Sequence, residues 1–155
     1  MESRIFLLPV DTPEGMTEVQ VSQMVTQTDG ENMRVTLSME IQGTPAIWQA
    51  DTTEEAFIRL AKSLPEDWHI RSCISCRFGQ FCPVGDADNE LFCVKEFEPR
   101  SPLDLLPIMQ DDCQRTIRRR TLFDACKDYQ VQIGTYCTYS DYFARTTKQS
   151  EKANR

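Results

Sequence analysis

Four cysteines in a short mid-chain segment carry the strongest chemical signal in this sequence. The run CISCRFGQFCPVGDADNELFC sets Cys73, Cys76, Cys82 and Cys93 with two, five and ten residues between them. The sulfurs of a C-x2-C pair reach one ion from a single tight turn. A second pair must then return to close a tetrahedron with Zn–S bonds of about 2.3 Å. The loops between these residues are short and rich in turn formers (Gly79, Pro83, Gly85, Asp86, Asn89), so closing them costs little chain entropy. The spacing therefore predicts a zinc knuckle with Cys73, Cys76, Cys82 and Cys93 as ligands. Four protein ligands leave no open position for a substrate, so such a site is structural. Its binding energy is folding energy, about 10–16 kcal/mol in small zinc peptides near neutral pH. Arg71, Arg77 and Arg100 lie close enough in sequence to offset the double negative charge of four thiolates around a dication.

Other readings of the same residues stay open. Free cysteine is commonly buried as a small hydrophobe, but four within one loop-rich segment are hard to explain by packing. An iron–sulfur cluster is the second metal reading: Cys82-Pro83 has the cysteine–proline step of ferredoxin runs, without their C-x2-C-x2-C spacing. Cys113, Cys126 and Cys137 read as core or surface thiols. The sharper alternative puts Cys126 in place of Cys82 as fourth ligand, because Cys82 lies in the tightest turn. A local echo joins Cys93-Val-Lys-Glu-Phe97 to Cys126-Lys-Asp-Tyr129, each a cysteine followed by charge and an aromatic ring.

Residues 73–100 also resemble a module found in many small bacterial proteins that share no agreed activity. In that module C-x-x-C-[RK]-[FY] is followed by a third cysteine, then by a last cysteine ahead of an acidic residue, phenylalanine, glutamate and proline. Here these are Cys73-Ile-Ser-Cys76-Arg77-Phe78, Cys82, and Cys93-Val-Lys-Glu96-Phe97-Glu98-Pro99-Arg100. The resemblance implies a bacterial or phage source and a metal-holding role for the four cysteines.

Composition bounds the rest. A chain of 155 residues fits one domain or a domain with a small module. The start, MESRIFLLPVDTPEG, has an acidic Glu2 and a short apolar run cut by Pro9, and no run approaches bilayer length. The expectation is a cytoplasmic protein, where seven cysteines read as thiols or metal ligands rather than disulfides. Four thiolates (−4) and a dication (+2) take the formal charge of −7 to −9. Such a surface disfavours nucleic acid and anionic lipid and suits a protein partner with a basic surface.

The elements that must hold the site read as an α+β fold. A strand over 4–8 stops at Pro9 before a DTPEG turn, a second spans about 17–26, and Asp29-Gly30 turns a hairpin. Met33, Val35, Leu37, Met39 and Ile41 alternate with Arg34, Thr36, Ser38 and Glu40 in a half-buried strand, and 46–50 returns as another. Thr52 caps a helix with Glu55, its apolar face being Phe57, Leu60, Ala61 and Leu64, and Pro65 closes it. Beyond the cysteines, Pro102 and Pro107 mark a helix start, and Leu106, Met109, Cys113 and Ile117 share a face. That helix breaks near Arg120 and restarts from a Thr121–Asp124 cap, and Tyr129, Val131 and Ile133 suggest a last strand. The organisation is a small antiparallel sheet with a packed helix (1–66), a knuckle insertion (67–100), a helical part completing the same domain (101–147) and a tail (148–155).

Other chemistries find little support. His69, the single histidine, reads as a polar residue at a helix exit rather than a ligand or base, and one histidine without a nucleophile motif makes no triad. Asp86, Asp88 and Glu90 begin like a calcium loop but lack its glycine and terminal glutamate, so they read as a solvated loop tip projecting acidic charge. Arg118, Arg119 and Arg120 form the basic cluster a nucleic-acid binder would use, yet on a helix they fan around it. No Walker loop, GxGxxG or HExxH occurs. The sequence thus points to a non-enzymatic protein-binding or regulatory protein with a structural zinc. An iron–sulfur accessory to a redox or radical enzyme is the alternative, and a nucleic-acid binder the next.

Overall fold

Alternating side chains build the first half of the molecule. The computed structural model describes residues 1–28, 30, 32–82 and 87–131 and divides the chain into two compact units, Met1–Arg71 and Ser72–Arg155. In the first, β1 (Glu2–Thr12), β2 (Gly15–Gln27), β3 (Met33–Ile41), β4 (Thr44–Ala50) and β5 (His69–Ile70) form one antiparallel sheet in the order β4-β3-β2-β1-β5. Val35, Leu37 and Met39 of β3 are buried, with Leu8 and Val10 of β1 and Val21 of β2. This is the period-two pattern that the sequence announces. The helix α1 (Thr53–Ser63) packs on β3 and β4. Thr52 Oγ1 accepts from the Glu55 N–H at 3.1 Å, satisfying one of the donors orphaned at the helix start.

Three details differ from the sequence reading. First, β1 runs through Pro9 to Thr12. On that side β1 meets only the two residues of β5, and Pro9 contributes a carbonyl that accepts from Arg71 N–H at 2.9 Å. Proline is tolerated on such a scarcely paired edge. Second, the buried face of α1 is Thr53, Ala56, Phe57 and Leu60, while Ala61 and Leu64 are only half-buried. Buried Gln23 explains the rotation: its Nε2 donates to Thr53 Oγ1 at 3.0 Å and ties β2 to the helix start. Third, β3 and β4 are joined by Gln42 and Gly43 alone, both at positive φ (50° and 81°), as a tight hairpin of right-handed strands requires. Thr44 and Pro45 therefore belong to β4. In the preceding hairpin Gly30 has φ +95°, and Asp29 lies outside the described residues.

The second unit is made of short pieces. A 3-10 turn at Cys73–Ser75 precedes β6 (Gly79–Gln80), β7 (Leu91–Cys93), α2 (Leu106–Gln110), α3 (Asp112–Arg118) and β8 (Arg119–Arg120). The strands form a second sheet in the order β6-β7-β8. The expected helix breaks at Asp111, not near Arg120. Asp111 Oδ1 accepts from the N–H groups of Cys113 and Gln114 at 2.9 and 3.0 Å and so starts a new helix. The resulting change of phase keeps Met109 buried and turns Cys113 and Ile117 outward. Thr121 and Asp124 close a turn instead of capping a helix: Asp124 Oδ2 accepts from Thr121 N–H at 2.7 Å, and Leu122 and Phe123 between them are buried. Val131 makes a single bridge to Cys76, and Ile133 lies outside the described residues. Among the described residues no helix is long and apolar enough to cross a membrane.

Candidate metal centre

The C-x2-C turn is folded tightly on itself. Cys76 N–H donates to Cys73 O at 3.3 Å, and Gly79 N–H donates to Cys76 O at 3.1 Å. A Cβ at position 79 would lie 1.9 Å from the Cys73 carbonyl oxygen, so only glycine fits this close approach. Across the β6–β7 ladder Gly79 faces Cys93, and Val94 N–H donates to Phe78 O at 2.9 Å. Register alone thus carries Cys93 back to the turn. Arg118 Nη1 donates to Cys93 O at 3.1 Å, which fixes the far side of that residue.

A later segment runs along the same turn. Cys73 N–H donates to Asp124 O at 2.7 Å, and Arg77 N–H donates to Gln130 O at 2.8 Å. Cys126 lies between those two anchors. The Tyr129 hydroxyl stands 3.3 Å from Ser75 Oγ, and Lys95 Nζ pairs with Asp128 Oδ2 at 2.6 Å. The ion pair joins the residue two past Cys93 to the residue two past Cys126. It holds the Lys95 ammonium above its usual range and the Asp128 carboxyl below its own, first through the hydrogen bond between them.

Electrostatics group the same cysteines. The Cys73 thiol is pushed up to about 12, first by burial and then by the negative charge of Asp124, Cys76, Cys93 and Cys126. Like charges this near one another oppose ionisation, and a bound cation reverses that balance. Coordination is a stricter demand than charge influence. Among the described residues no three His, Cys, Asp or Glu side chains already form a set able to hold an ion. The backbone gathers the thiols into one neighbourhood without closing a coordination sphere.

The predicted ligands thus fall into two environments. Cys73 and Cys76 share the turn beside which the strand of Cys93 pairs; Cys82, 8% exposed, lies in an apolar cluster with Phe92, Val94, Leu105 and Met109, with Ile108 against it. Cys126 and Cys113 are exposed, all six described cysteines are unpaired by disulfides, and Cys137 lies outside the described residues. His69 is in β5 opposite Asp11, in the sheet unit. Of the arginines expected near a metal, Arg77 pairs with Glu98 at 3.4 Å and Arg71 with Asp11 at 3.5 Å.

The acidic loop and the basic cluster differ in part from expectation, although Asp88 is exposed as a loop tip requires. Glu90 does not project: it is largely buried and pairs with Arg119 at 2.8 Å, while Asp86 lies outside the described residues. Only Arg118 is helical. Arg120 Nη1 donates to the Ile117 carbonyl at 3.1 Å, so each of the three guanidinium groups has a partner within the unit. Sequence reasoning named Gly79 only as a turn former and Asp124 only as a cap, and it missed the Lys95–Asp128 pair, for which the echo between 93–97 and 126–129 was the available signal. Compared with family models, with curated proteins and with solved structures, the chain matches none.

Proposed function

We propose that this chain is a non-enzymatic protein-binding or regulatory protein whose cysteine-bearing unit is held by a structural zinc ion. The observation that carries the reading is the return of Cys93, through the β6–β7 register, to the Cys73–Cys76 turn. Thiolates are soft donors that suit zinc, and a set filled by protein ligands leaves no place for a substrate. No histidine lies in the cysteine unit to act as a base, since the one histidine of the chain is in the sheet. An absorption spectrum of the purified protein tests the metal: zinc is silent in the visible, and a brown protein would replace it with an iron–sulfur cluster.

Protein binding draws support from the outer face of the sheet. Ile5, Leu7, Met16, Met24 and Ile47 are exposed by 65, 60, 62, 39 and 66%. Cross-strand pairing puts them on the face opposite Leu8 and Val10; Ile47, Ser38, Ser22 and Ile5 form one row. Glu18, Asp11 and Glu40 share this face, which fits a partner with apolar contacts and basic groups. Because Arg118, Arg119 and Arg120 are engaged within the chain, the nucleic-acid reading loses its main support. Binding to random duplex or single-stranded DNA is expected to be absent at physiological salt; tight, salt-sensitive binding would contradict the proposal.

A further inference from the structure

Cys82 and Cys126 compete for one role, and the fold separates them. Cys82 is packed among Phe92, Val94, Leu105 and Met109. Withdrawing its sulfur toward a metal would open a cavity in that cluster. Cys126 is free of that obstacle. It is exposed, and the strand of chain carrying it is fastened to the C-x2-C turn on both sides. Asp124 O holds the Cys73 N–H, and Gln130 O and Val131 hold the stretch from Cys76 to Arg77. The Lys95–Asp128 pair then clamps this strand to the one that carries Cys93.

We infer that Cys126, and not Cys82, is the fourth thiolate, joining Cys73, Cys76 and Cys93 around one zinc ion. The inference rests on the metal reading above. It makes the site a junction between the early C-x2-C turn, the β7 strand and the late loop after β8, rather than a knuckle confined to residues 73–93. Each thiol that binds gives up its proton to solvent, and the four sulfur–metal bonds replace four S–H bonds. Closing the sphere draws the Cys126 sulfur out of solvent.

Thiol footprinting tests this on the full chain. Zinc-loaded protein is treated briefly with iodoacetamide, and modification at each cysteine is read by mass spectrometry, with and without prior chelation. Cys113 is exposed and serves as the internal standard. In the loaded protein Cys113 is expected to react while Cys126 is protected at least tenfold, and chelation should abolish that protection. Equal reaction of Cys126 and Cys113 in zinc-loaded protein would overturn the inference. A parallel pair of variants gives a second readout. Cys82→Ala should keep its zinc, whereas Cys126→Ser should lose it. Cys126→His should retain metal and, loaded with cobalt, shift its visible bands to shorter wavelength as nitrogen replaces sulfur. Zinc retained by Cys126→Ser and lost by a folded Cys82→Ala would restore Cys82 as the ligand. A wild-type protein that binds no metal would instead refute the metal reading itself, and this inference with it.

Discussion

The two units reach order by different means. In Met1–Arg71 the four main strands run 11, 13, 9 and 7 residues, and one helix covers their apolar face. Its buried polar groups satisfy each other, as Gln23 and Thr53 do. Among the described residues from Ser72 onward the strands are two or three residues long and the α-helices five and seven. Elements so short are not stable alone. Among the described residues the buried Gln80 Oε1 has no hydrogen-bond partner, and such an orphan costs about 1–3 kcal/mol. The sheet unit is specified by hydrophobic periodicity. The cysteine unit has only short elements, and the proposed metal at its chain junction would supply the cross-link that they lack.

Chelation should break this comparison open most widely. A strong chelator is expected to collapse amide dispersion for described residues of 72–131 while the sheet signals of 2–50 persist. Loss of both together in one transition would mean that the units are not energetically distinct. Acid should act in the same direction: protons compete with zinc for the thiolates, so falling pH releases metal and destabilises the second unit. Burial and its charged neighbours favour the proton on Cys73, which moves the release to higher pH than four ordinary thiols would give. Zinc retention measured against pH reads this out.

Core truncation should do the reverse. Phe57 is fully buried under the sheet, and Phe57→Ala is expected to cost the first unit about 3–5 kcal/mol. Metal content should be unchanged, and parallel loss of zinc would show that the units share a core. Gly79→Ala sharpens the other side. The new methyl collides with the Cys73 backbone, so the turn must open, and zinc affinity should fall at least tenfold with sheet stability intact. The smallest effect is expected at the helix cap. Thr52→Ala should lower the melting free energy of the sheet unit by about 1 kcal/mol and leave the metal untouched.

How much was readable follows from the same contrast. The span of β3 matches its alternation residue for residue, and Thr52 caps α1 where the sequence put it, because both signals are local. Pro9 misled because the identity of its neighbours, not its own φ, decides whether a strand tolerates it. Asp111 was a cap hidden inside an apolar pattern that continued on either side of it. Spacing named Cys73, Cys76, Cys82 and Cys93 together; the fold returns Cys93 beside the Cys73–Cys76 turn and packs Cys82 among apolar side chains, since a sequence shows proximity along the chain and not which residue a distant Leu105 or Met109 will cover. The role of Arg119 was equally hidden, because its partner Glu90 lies just ahead of β7, far upstream in the chain.

Elemental analysis of the purified full-length chain tests the central claim most directly. The account predicts close to one zinc ion per chain, absent iron, and loss of that zinc in Cys73→Ser. A wild-type protein that is folded from Ser72 onward yet carries no metal would contradict it.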